Sequence, residues 1–175
     1  MEFERSSGIL LHVTSLPEGR LGPGAREVVR WLGRAGQRWW QVLPLGPPDE
    51  TGSPYQARSA FARWPGLLER PRERVTAAER DDFRDRHRFW IEGWERFAGD
   101  ADAAVDDQVR FEREWRELRD LAAEHGVKLL GDVPIYAGRG GADVETWPSL
   151  FLDGAVAGAP PDALSAEGQL WGNPL

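Results

Sequence analysis

Carboxylates, amides, hydroxyls and aromatic rings gather at a few places in this sequence, each just after an apolar run. His12-Val13-Thr14-Ser15 closes the first run, and Ser53-Pro54-Tyr55-Gln56 lies in a loop after the second. Asp132 and Tyr136 end the third, and a loop-rich stretch beyond it carries Asp143, Asp162, Gln169 and Trp171. Carboxylates and amides pair with hydroxyl groups, while Tyr and Trp rings cover flat apolar faces. The set therefore suits a polyhydroxylated, neutral ligand. Trp171 stands between Gln169 and Gly172-Asn173-Pro174, a loop setting in which a large ring needs something to cover it. Other readings stand beside these. His12 fits a hydrogen-bonded core histidine, Asp132 fits a brace for its own loop backbone, and Asp143 and Asp162 fit turn residues. His12, His87 and His125 do not have metal-ligand spacing, and no cofactor is expected.

These residues need elements to hold them. Residues 8–13 (Gly-Ile-Leu-Leu-His-Val) read as a buried strand entering a loop at Thr14-Ser15-Leu16-Pro17. From Pro23, the apolar positions Ala25, Val28, Val29, Leu32 and Ala35 recur at helical spacing, and Gly36 supplies the stop. Residues 39–45 predict a second strand, which Gly46-Pro47-Pro48 ends. Residues 52–74 predict an irregular loop with a single helical turn. Thr76-Ala77-Ala78-Glu79 is a capping box that opens a charged helix, and residues 88–98 predict another. The clearest helix covers residues 103–125, with Phe111, Trp115, Leu118 and Ala122 on one face and Gly126 beyond its end. Residues 127–136 predict the third strand, and the remainder reads as loops. Trp31, Trp90, Trp94 and Trp115 fall within helices and are expected to pack.

Strands joined through helices by short connections pair in parallel, as in an open doubly wound sheet or part of a (β/α)8 barrel. The sequence has neither a Gly-x-Gly-x-x-Gly turn after its first strand nor a Gly-Lys-Ser/Thr motif, so an anionic nucleotide lacks its usual cradle. A net charge of −7, from 22 basic and 29 acidic side chains, argues against a nucleic acid or an anionic membrane surface as partner. No apolar run approaches a membrane span, and the opening MEFERSSG lacks a secretory core, so a cytoplasmic location is expected. The absence of cysteine removes disulfides and thiol chemistry. Nine Trp against two Tyr and one Met are a surplus of flat apolar surface, for a core or for a ligand.

Several segments together resemble the 4-α-glucanotransferases, the amylomaltases or disproportionating enzymes of the α-amylase superfamily. They are SGILLHVTSLP, GQRWWQVLPLGP, SPYQARSAFA, GVKLLGDVPIY, ADVETWPSLFL and GAPPDALSAEGQLWGNPL. They follow the family's order and span nearly the whole chain, and Ser-Pro-Tyr-Gln and Gly-Gln-Leu-Trp-Gly-Asn-Pro are the most specific of them. The resemblance implies an α/β fold, the N-terminal part of a (β/α)8 TIM barrel, about three of its eight strands. It makes residues 1–175 a partial catalytic domain, with 66–125 a shortened helical insertion between strands two and three. It implies transfer of an α-1,4-glucan segment to the 4-hydroxyl of another glucan by a retaining two-step mechanism. Such a mechanism needs two carboxyl groups about 5–5.5 Å apart. By position, Tyr55 and Trp171 resemble the family's glucose-stacking rings, and Ser53 and Gln169 its polar subsite contacts. Gln56 and Asp162 join them as substrate-binding candidates, and Asp132 resembles the family's acid at the end of strand three.

The sequence also departs from the family. Glu18-Gly19-Arg20-Leu21-Gly22 abbreviates a longer Gly-rich stretch, and far more chain usually lies between Pro65 and Gly126. Ala163-Leu164 replaces a Tyr-Phe pair in the segment resembling a mobile loop, and Gly140-Gly141 replaces Asp-Ser. The family's nucleophile, acid/base and third acid come after the closing Gly-Asn-Pro-Leu, so no catalytic residue is assigned here. The expected partner is a maltodextrin or other α-1,4-glucan, with a second chain completing the barrel as a further candidate. The alternatives are a non-catalytic maltodextrin-binding remnant and a small glycosidase pairing Asp132 with Asp143 or Asp162.

Overall fold

A computed structural model describes residues 5–175, so the first four residues of the opening segment lie outside the described residues. Three short strands, β1 (Gly8–Leu10), β2 (Trp39–Gln41) and β3 (Lys128–Leu130), form a parallel sheet in the order β1-β2-β3. Their register aligns Ile9, Trp40 and Leu129 in one row. That row faces the helices: Trp40 is fully buried, and Ile9 and Leu129 pack against the same cluster. Side chains alternate along a strand, so Leu10, Gln41 and Leu130 turn to the other face, where Leu10 and Leu130 are exposed. Gly8 pairs with Trp39, and any Cβ there would collide with the Trp39 backbone.

Helix α1 (Pro23–Arg34) begins on proline, whose missing N–H costs nothing in a first turn. It buries Ala25, Val29 and Leu32 against the sheet. Gly36, at φ +70°, turns the chain out of it. Trp31 departs from expectation: it lies on the solvent side of α1 and is 48% exposed. The apolar face of α1 is formed by Ala25, Val29 and Leu32 with Val28 packed beside them, and Trp31 lies outside it.

Helices α2 (Ala77–His87), α3 (Ile91–Ala98) and α4 (Ala101–Glu124) fill the long excursion between β2 and β3. The predicted capping box is present. The Glu79 N–H donates to the Thr76 hydroxyl, while the Glu79 carboxylate accepts from the Thr76 N–H at 2.9 Å. Helix α4 serves two cores. Phe111, Leu118 and Ala122 pack under the sheet, and Ala104, Val105 and Val109 pack against α2 and α3 around Phe83, Ile91 and Trp94. Arg86 grips Glu112 through two bonds of 2.9 and 2.8 Å, and Arg84 joins Glu95 to Asp102, tying α2 to its neighbours.

Two expectations on extent are corrected. The strands are shorter than their apolar runs, because after Gln41 and Leu130 the backbone leaves the ladder for loops. The last stretch is not all loop: α5 (Ala142–Thr146) precedes an antiparallel pair, β4 (Val156–Ala159) and β5 (Gln169–Pro174). Its Gly- and Pro-rich composition hid this hairpin. Among the described residues, no helix is long and apolar enough to cross a membrane.

Two predictions follow from the packing of the helices. Glu114, buried within α4, accepts the N–H groups of Glu69 (2.9 Å) and Arg70 (2.8 Å). Glu114→Ala strands both donors and is expected to cost about 2–3 kcal/mol in urea unfolding, with Glu114→Gln costing less. The Thr76 N–H, the Thr76 hydroxyl and the Arg113 guanidinium hold the Glu79 carboxyl at about 2 against an ordinary 4.5. A depressed carboxyl contributes stability that is full above its unfolded value and drains as pH falls toward the folded one. The melting temperatures of wild type and Glu79→Gln should therefore converge as pH falls from 4.5 to about 2.

Candidate functional site

The loop after β2 folds back on itself. Pro48 bridges Ala57, the Asp49 N–H donates to the Gln56 carbonyl at 3.1 Å, and the Gln56 N–H closes a turn onto the Ser53 carbonyl at 3.1 Å. The Ser53 hydroxyl accepts the Tyr55 N–H at 3.3 Å. This turn projects Tyr55 toward the end of β3, where its phenol donates to Asp132 Oδ2 at 2.9 Å. The other carboxylate oxygen of Asp132 accepts the Val133 N–H at 2.8 Å. Asp132 thus both braces its own loop and holds Tyr55. That hydrogen bond, ahead of desolvation, raises the Tyr55 pKa above that of an ordinary phenol.

The close approach of the two loops requires Gly138. Its N–H donates to the Ala57 carbonyl at 3.2 Å, and a Cβ at this position would overlap that same carbonyl.

The hairpin brings the third part. Gln56 and Asn173 exchange amide hydrogen bonds of 2.9 and 3.0 Å, and the Gln56 amide also donates to the Trp171 carbonyl at 3.2 Å. Asn173 is buried and donates to the Ala137 carbonyl at 3.0 Å. The Trp171 indole N–H donates to Gln169 Oε1 at 2.9 Å, and its ring lies 5.9 Å from that of Tyr136 at 57°.

Tyr55, Gln56, Asp132, Tyr136, Trp171 and Asn173 line a cleft of about 430 Å³ together with Val133 and Ile135. Tyr55 and Trp171 are 48% and 43% exposed, so both rings present surface that a ligand can cover. Ser53 lines a neighbouring cleft of about 660 Å³ that shares Gln56 and Trp171 with the first. Gln169 acts behind Trp171. Asp162 stays within the hairpin, its Oδ1 capping Leu164 and Ser165 at 2.8 and 2.7 Å, and it lines neither cleft.

Asp143 is buried away from these clefts. It accepts the Ala60 N–H at 2.7 Å and the Ser59 hydroxyl at 3.3 Å; burial pushes its carboxyl up, against the pull of both donors. His12 is half-buried and burial lowers its pKa, yet its Nδ1 has no hydrogen-bond partner among the described residues. The expectation of a fully hydrogen-bonded core histidine is corrected accordingly. In the sequence Asn173 stands out only as part of the Gly-Gln-Leu-Trp-Gly-Asn-Pro motif. Its role depends on a partner more than a hundred positions away, which spacing does not reveal.

Parallel strands backed by helices, with a polar and aromatic cleft where the strands end, define part of an α/β barrel of the kind that binds ligands at its C-terminal face. The sequence model described as 4-alpha-glucanotransferase, of glycoside hydrolase family 77, matches residues 11–88 and 73–175. The chain belongs to that family. It is 32% identical to the 4-alpha-glucanotransferase of Thermus thermophilus over 262 aligned positions, which take in 100% of this chain and 52% of the relative. The amylomaltase of Streptococcus agalactiae in complex with acarbose superposes with a TM-score of 0.85 at 26% identity, over 98% of this chain and 53% of that one. The Corynebacterium glutamicum amylomaltase, 15% identical with a TM-score of 0.73, shares the fold. The chain spans about half the length of the curated relatives it matches. The 262 aligned positions exceed its 175 residues, so the relative carries internal stretches that this chain lacks.

The pairing of Tyr55 with Asp132 has a direct signature. In a spectrophotometric titration, Asp132→Asn should move the Tyr55 ionisation to lower pH, toward the ordinary phenol value, because the charge opposing phenolate is gone.

Proposed function

We propose that this chain supplies part of the glucan-binding wall of a 4-α-glucanotransferase, an enzyme that moves an α-1,4-glucan segment onto the 4-hydroxyl of another glucan. In this reading Tyr55 and Trp171 stack on glucose rings, and Asp132 accepts from sugar hydroxyls. Gln56 and Gln169 chiefly hold the rings in place, since their amides are engaged within the protein. Ser53 contacts a unit on the far side of Trp171, and Asp162 shapes the loop above. Residues 66–125 are a short helical excursion of the same catalytic domain. One observation carries the reading: three separate segments converge to place two half-exposed aromatic rings and a carboxylate around a single cleft. The acarbose bound by the Streptococcus agalactiae amylomaltase supports a sugar-like ligand.

The bond-breaking pair is assigned to no residue here. Asp143 is committed to Ala60 and Ser59, and Asp162 to its own turn, so neither is presented beside Asp132. A retaining mechanism needs two carboxyl groups held about 5–5.5 Å apart. The free edges of β1 and β3 are where further strands of a barrel would pair, and Leu10 and Leu130 lie exposed on the sheet between them.

Maltotetraose should quench the tryptophan fluorescence of wild type, and Trp171→Ala should remove most of that quench. An unchanged quench in the variant would remove Trp171 from the site. Incubated with maltotriose, this polypeptide alone should release no glucose; disproportionation by it would overturn the division of labour proposed.

A further inference from the structure

A groove of about 670 Å³ opens beside the cleft, walled by α2, the middle of α4 and the end of β3. The two are continuous, because Asp132 and Val133 line both. The groove is lined by the rings of Phe61, Trp90 and Trp115, with Phe61 and Trp90 stacked 6.0 Å apart at 18°. Arg63 and Arg119 reach into it as well.

These two arginines differ from the other arginines of α2 and α4. Arg80, Arg84, Arg86, Arg110 and Arg113 are all paired with carboxylates. Among the described residues, the Arg63 and Arg119 guanidinium groups have neither a salt bridge nor a side-chain hydrogen bond. Of the groove's two acids, Glu112 is taken up by Arg86 and Arg116, and Asp132 holds the Tyr55 phenol. The lining therefore offers unspent N–H donors together with aromatic rings, which matches the hydroxyl oxygens and apolar face of a pyranose ring.

The family match divides within this wall. The two family matches, 11–88 and 73–175, overlap across α2, and the Thermus thermophilus relative needs 262 aligned positions where this chain has 175 residues.

We propose that the groove is a second carbohydrate site, taking further glucose units of an α-1,4-glucan whose other end lies between Tyr55 and Trp171. The inference rests on the glucan reading of that first cleft. A glucan spanning both binds the second site at the high effective concentration set by the first. A short oligosaccharide fills only the first.

The test compares maltotriose with maltoheptaose by calorimetry and by indole N–H shifts in NMR. Maltoheptaose should bind about tenfold tighter, with maltotriose shifting the Trp171 signal and maltoheptaose shifting those of Trp90 and Trp115 as well. Arg63→Ala combined with Arg119→Ala, neither of which belongs to an apolar core cluster, should erase the gain and leave maltotriose affinity unchanged. Equal affinities for the two sugars, or a gain that survives in the double variant, would overturn the second site and leave the first standing. Failure of maltotriose itself to bind would overturn both.

Discussion

Between β2 and α2 the backbone runs with a single 3-10 turn at Pro65–Leu67, and its polar groups must find partners outside any ladder. Buried side chains supply them. Gln108 on α4 accepts the Arg63 N–H at 2.7 Å and donates to the Arg63 carbonyl at 3.0 Å, as a neighbouring strand would. Glu114, on the same helix, takes the N–H groups of Glu69 and Arg70. Asp143 and Ser59 hold the segment from Ser59 to Ala62. The candidate site stands on this loop, so its geometry depends on polar residues that never touch the cleft.

That dependence explains the length and position of α4. Its C-terminal half is the crossover that returns the chain to the sheet in parallel, the usual task of a helix between adjacent strands. Its N-terminal half extends past the sheet to carry α2 and α3. The extension builds a second apolar core and, with the end of β3, the walls of the aromatic groove. The ion pairs from α2 to α4 are only partly buried, and such pairs are individually weak. Their number fixes which face of α2 meets α4 more than it adds stability.

The sheet itself is half covered. Helices bury the row of Ile9, Trp40 and Leu129, while the opposite face shows Leu10, Gln41 and Leu130. A parallel sheet ordinarily has both faces covered. Here the Lys128 ammonium, 5.1 Å from the Trp39 ring centroid, covers part of the bare side.

Much of this was legible in the sequence. Order and type of the three strands and main helices, the capping box and the left-handed turn at Gly36 follow from periodicity and backbone chemistry over a few neighbouring residues. The family resemblance named Tyr55, Asp132 and Trp171, and the fold brings all three to one cleft. Strand length, the β4–β5 hairpin, the exposure of Trp31, and the parting of Ser53 and Asp162 from that cleft were decided only by tertiary structure. So was the pairing of Gln56 with Asn173, which joins residues distant in the chain through mutual hydrogen bonds. Local sequence determines what each segment can be, because helix and strand preferences act between near neighbours. Which polar side chain meets which is set by packing across the whole chain, and a one-dimensional pattern does not contain that distance.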